Sequence, residues 1–146
     1  MTQGRGSLLV ALLAICAEVG LYVTYQAHEA RYHWFTHFFI GASVGLIAMS
    51  VWIAEEKRRV PYPAIWIFAG HAVAMAPDFL FAFGIPHQRW MDVFLGHLSA
   101  LSVPGHNLTW YAVFLVTLAG YLTADARLRA QRDAGRSTGG RRRRRR

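Results

Sequence analysis

The chain has too little charge to coat a water-facing surface. Aspartate, glutamate, lysine and arginine make up 16% of its residues, against about a quarter in a soluble domain. Cysteine occurs once, at Cys16 inside an apolar run, which excludes an internal disulfide and a cysteine-built zinc site. A basic folded surface is lacking as well. Of the charges behind the formal +8, residues 127–146 hold ten arginines and one acid, whereas the first 126 residues hold six basic and seven acidic side chains. Nucleic-acid recognition is therefore a poor reading, because its electrostatic footprint belongs on the folded domain. Internal repeats are absent too.

What the chain has instead is apolar surface: 54% of its residues are hydrophobic. Four apolar runs, at about 7–25, 35–54, 62–84 and 108–124, are long enough to cross a bilayer as helices, which takes roughly 17–25 residues. Backbone groups in lipid must be satisfied within the segment, so the expected fold is all-α, a four-helix transmembrane bundle over residues 1–126. The first run has only Arg5 before it and no clean Ala-x-Ala site after it, so it reads as a retained helix rather than a signal peptide. A further apolar piece, residues 91–103, ends at Pro104-Gly105 and is too short to span. It is expected to be a re-entrant or interfacial helix before the last crossing.

Orientation follows from lysine and arginine in the short loops. Glu55-Glu56-Lys57-Arg58-Arg59 and the arginine-rich end both belong on the cytoplasmic side, which places both termini there and predicts a multi-pass protein of the plasma (inner) membrane. Residues 127–146 are expected to be a disordered cytoplasmic tail. Its arginines would lie along anionic lipid headgroups at about 1 kcal/mol per residue near the surface, or be dispensable. Beyond lipid, a homo-oligomer is the only partner the sequence suggests.

Seven histidines are the unusual feature of so apolar a chain. Under this topology His28, His33, His37, His87, His97 and His106 fall at or near the outer face, together with Asp78 and Asp92, and only His71 lies near mid-membrane. His33 and His37 are four apart and share a helix face. Gly41 and Gly45 continue that stripe, and a Gly-x-x-x-Gly pair marks close helix packing in membranes. The histidines should thus point into the bundle, either as a metal-binding pair or as packed interfacial side chains. Asp78, seven residues after His71, shares its helix face. A membrane-depth acid is a functional candidate, because an unsupported charge there is costly. Asp92 follows His87 by five residues and would serve as general base, as partner of a histidine, or as a helix cap. Glu18, Tyr22, Tyr25 and Glu29 form one polar stripe on the first run. Glu18 needs a partner at its depth, and His71, at comparable depth, is the expected one. Imidazole and carboxylate together suit zinc, manganese or iron.

Three elements occur in order over residues 33–99: Thr36-His37-Phe38-Phe39-Ile40-Gly41, then Ala76-Pro77-Asp78-Phe79-Leu80, then His87-Gln88-Arg89 with Gly96-His97-Leu98-Ser99. Their order resembles that of the YdjM-like membrane-bound metal-dependent hydrolases. The resemblance implies a hydrolase using a divalent metal ion, zinc or manganese, with His37, Asp78, His87 and His97 as ligands. The i, i+4 spacing adds His33 to that set. Asp78 and Asp92 are the candidate catalytic acids, and location at the headgroup layer suggests a lipid or lipid-linked phosphoester as substrate. Two other classes stay open: a non-catalytic membrane protein for partner binding or assembly, and a haem b electron-transfer protein using His37 and His71.

Overall fold

The computed structural model describes the backbone of residues 2–24, 30–96, 102–105 and 107–143, and the side chains of these residues except 2–5, 21, 24, 30–33, 96 and 136–143. All its regular structure is helical: α1 (Thr2–Thr24), α2 (Ala30–Glu56), α3 (Pro63–Ala74), α4 (Ala76–Ala82), α5 (Arg89–Val93) with a 3-10 turn at Phe94–Gly96, and α6 (Asn107–Arg143). Among the described residues two helices are long and apolar enough to cross a membrane, Trp34–Glu56 and Asn107–Gly135. A third span results if the bent pair α3–α4 is taken as one. The apolar part of α1, Gly6–Gly20, is shorter than a span.

Helix α2 is the centre of the molecule and packs against both α3 and α6. Its seam with α3 is built on glycine. A Cβ added at Gly41 would strike the backbone of Gly70, one at Gly70 would strike that of Gly41, and one at Gly45 would strike the Trp66 carbonyl. The stripe of small residues therefore faces inward, as its spacing implies, and brings the two backbones into contact. Below this crossing Leu46, Met49, Ile53, Val60 and Leu128 form a buried cluster, flanked by Trp52, Trp66, Phe114 and Tyr121. Helix α1 lies against α3 and leaves Leu8, Leu12, Ile15 and Val19 exposed.

Two breaks shape the region around the histidines. Pro77 has no N–H to give the Val73 carbonyl, and its ring crowds the preceding turn. The helix stops at Ala74, resumes at Ala76, and bends by 53°. After α4, Gly84 takes φ +83, a conformation that suits a residue without a Cβ, and the chain turns into the extended stretch 85–88. Within the apolar piece before α6 the described part is broken. Helix α5 ends at Val93, and Leu95, with φ 44, breaks the turn that follows. Residues 97–101 of that piece lie outside the description.

The largest departure from the sequence reading is at the C-terminal end. Helix α6 does not stop near 124 but runs to Arg143. Ala124 to Ala134 is rich in alanine, arginine and leucine, all strong helix formers, and it has tertiary anchors. Leu128 is buried in the core cluster. Asp125, 6% exposed, accepts from Arg59 at 3.2 Å across the fold and from Arg129 one turn on. Arg132 donates to the Lys57 carbonyl at 3.1 Å. Composition marked this segment as a tail, but residues 125–132 are tied to the loop after α2. Replacing Asp125 with alanine is expected to cost roughly 1–2 kcal/mol, since the carboxylate is buried while its arginine partners are half-exposed. Thermal unfolding in detergent would show it, and an unchanged Tm would remove the ion pair from the account of α6.

Candidate functional site

Three histidine–carboxylate couples stand out, and each joins residues that sequence spacing alone would not fully pair. The most buried is on α1 and α3: His71 Nδ1 lies 2.6 Å from Glu18 Oε2. His71 has no exposed surface. The edges and faces of Trp34 and Phe38 meet its ring at centroid distances of 5.0 and 5.4 Å. Glu18 Oε1 and His71 Nε2 are buried with no hydrogen-bond partner among the described residues. This couple was expected from depth alone, and the structure forms it. Of the rest of the α1 polar stripe, Tyr22 packs edge-on against Trp34 at 5.3 Å, while Tyr25 and Glu29 lie outside the described residues.

The second couple sits at the bend. His37, on the glycine stripe of α2, is 2% exposed, and its Nε2 lies 3.3 Å from Asp78 Oδ2. The sequence reading put Asp78 on one face with His71. The 53° bend at Met75 breaks that register, so His71 turns to α1 while Asp78 turns to α2. Beside His37, Thr36 donates to Asn107 Oδ1, which brings the first residue of α6 to the same region. Sequence reasoning missed Asn107, because nothing local connects residues 36 and 107.

The third couple is peripheral. His87 Nε2 and Asp92 Oδ1 are 2.7 Å apart, with the side chains 53% and 35% exposed. Gln88 accepts from the Trp90 indole at 2.8 Å and steadies the same turn. Here Asp92 serves as the partner of a histidine rather than as a free acid. Nearby in sequence, Phe81, Phe83, Trp90 and Val93 are exposed apolar side chains.

The five residues expected to hold a metal are thus distributed as follows. His37 and Asp78 come together. His87 pairs with Asp92 instead of joining them. The side chain of His33 and all of His97 lie outside the described residues, as do His28 and His106. Among the described residues no three histidine, cysteine, aspartate or glutamate side chains converge to hold an ion. The single metal centre expected from the sequence is, within these residues, two separate couples. The turn at Gly84 and the extended 85–88 stretch separate Asp78 from His87. No protein-family model, curated protein or solved structure matches the chain.

Proposed function

We propose that this protein is a membrane-embedded metal-dependent hydrolase with its site at the outer end of α2 and the α3–α4 bend. The full arrangement is a four-crossing bundle in the plasma membrane, with both termini cytoplasmic. The observation that carries the metal reading is the His37–Asp78 separation. With bonds of about 2.0–2.2 Å, two ligands of one tetrahedral ion would stand about 3.3–3.6 Å apart. His37 Nε2 and Asp78 Oδ2 are 3.3 Å apart, wider than the 2.6 and 2.7 Å of the other two couples. They come from different helices, with His37 buried and Asp78 partly open to the surface, as a site that admits substrate requires.

His37 and Asp78 would hold the ion, His33 one turn earlier on α2 and His97 completing the set. Bound there, a divalent zinc or manganese ion would polarise a phosphoester oxygen and bring its water toward ionisation near neutral pH. In the Nε2–H tautomer His87 donates to the Asp92 carboxylate, which would orient the imidazole and leave Nδ1 as a base within reach of the surface. The exposed aromatic side chains around that turn would seat an acyl-chain substrate. A lipid or lipid-linked phosphoester is therefore the substrate class.

Elemental analysis of the detergent-purified protein tests this directly. Stoichiometric zinc or manganese is expected in the wild type. In His37→Ala and Asp78→Ala the affinity should fall by at least about 100-fold, with hydrolysis of lipid phosphoesters lost. Unchanged metal content in both variants would refute the reading. Iron with a Soret band would mean a haem protein. A metal-free wild type would leave a partner-binding membrane protein.

A further inference from the structure

About 30 Å along α2 from His37, at a rise of 1.5 Å per residue, the loop after α2 meets the continuation of α6. Arg59, Arg129, Arg132, Asp133 and Gly135 line a cavity there of about 640 Å³. We propose that this cavity is a binding site for the phosphate group of an anionic membrane lipid, with Arg59, Arg129 and Arg132 as its ligands. The site rests on the membrane reading of α2 and α6, and is independent of the metal reading at the other end.

The argument starts from charge. Asp125 is enclosed and is shared by Arg59 and Arg129, whose side chains are 56% and 58% exposed. One carboxylate faces two guanidinium groups, so that triplet keeps a positive charge on its outer side. Arg132 gives one nitrogen to the Lys57 carbonyl, a neutral acceptor. A guanidinium has five N–H donors, so the group keeps donors for an anion. Lys57 likewise donates to a carbonyl, that of Ala54. Among the described residues Asp133 is the one acid on the cavity wall, and it weakens the field without reversing it.

Geometry then favours a phosphate. Arg129 and Arg132 stand one turn apart on α6, and Arg59 approaches from the loop, so the three planar donors converge from two elements. Arginine is suited to bidentate recognition of phosphate oxygens. The Asp125 contacts hold two of the three side chains before any ligand arrives, which reduces the ordering cost of binding. The location decides between lipid and free phosphate. The cavity sits where the apolar part of α6 gives way to its arginine-rich part, the depth at which lipid headgroups lie. Headgroup binding there would also explain why the helix holds together past the apolar segment.

The test uses the full chain in lipid nanodiscs. In phosphatidylcholine discs containing phosphatidylglycerol, wild-type Tm is expected to exceed that in phosphatidylcholine alone by roughly 5 °C. Arg132→Gln should remove at least half of that difference, and Asp133→Asn should enlarge it, an effect that simple loss of folding would not mimic. Equal wild-type Tm values in the two lipids would overturn the proposal. So would a difference lost on changing Arg141 to Arg146 to serine but kept in Arg132→Gln, which assigns the effect to the terminal arginines. Inorganic phosphate at low millimolar reproducing the shift in phosphatidylcholine discs would replace the lipid by a soluble ligand. Failure to enter discs of either composition would instead count against the membrane reading itself.

Discussion

Gly41→Ala is expected to lower stability by about 2–3 kcal/mol, and Gly41→Leu by more. The new Cβ would meet the Gly70 carbonyl and the backbone at His71. Backbone cannot swing aside as a flexible side chain would, so the two helices must separate. Overpacking of this kind costs about 1–3 kcal/mol even where side chains can adjust. Separation would also loosen His37, one turn before Gly41, from Asp78 beyond the bend. Two glycines provide the contrast. Gly20 on α1 and Gly120 on α6 have nothing within 4 Å of an added Cβ, so alanine there should be neutral or stabilise by roughly 0.5–1 kcal/mol through helix propensity. Thermal unfolding in one detergent reads all of these variants. If Gly41→Ala unfolds with Gly20→Ala and Gly120→Ala, the α2–α3 backbones are not in contact at this crossing.

The second large effect concerns the Glu18–His71 couple. Removing Glu18 leaves His71 enclosed by Trp34 and Phe38 without its partner, and removing His71 leaves the largely covered Glu18 carboxylate without its own. Glu18→Leu or His71→Leu alone should cost about 2–4 kcal/mol, the range for orphaning a buried polar or charged group. Replacing both with leucine gives a different expectation. The couple makes one short hydrogen bond but strands two further atoms, Glu18 Oε1 and His71 Nε2. Each stranded atom costs about 1–3 kcal/mol, more than a typical net hydrogen bond returns. The double variant should therefore be as stable as wild type or more so, and the cycle should show a coupling of at least about 2 kcal/mol. If the double variant is the least stable of the four proteins, packing rather than pairing holds these side chains. If it is stable, the couple is kept for something other than stability, and activity of that variant becomes informative.

Several features of this fold could be read one residue at a time. Long apolar runs require helices, and their lengths bounded the candidate spans. The inward stripe His37, Gly41, Gly45 follows from the i, i+4 geometry of one helix. The Glu18–His71 pairing follows from depth: in an apolar bundle, two polar groups at the same level find each other because nothing else is available. These inferences use only local periodicity or position along the apolar runs.

The remainder depended on how helices pack. Asp78 changed partners because a proline bend rotates the face beyond Met75, and the angle of a bend is set by the surrounding helices rather than by the proline. His87 and Asp92 form their own couple because the turn at Gly84 carries them away from Asp78. Helix α6 continues past its apolar part because Asp125, Leu128 and Arg132 meet Arg59, the core cluster and the Lys57 carbonyl. One signal was present in advance, an acid at the end of an apolar run facing a basic loop of opposite sign. Periodicity shows which face of a helix is turned inward. Which residue waits on the other side, sometimes seventy positions away, is settled by the packing of whole helices against one another, and that is where this protein's couples were chosen.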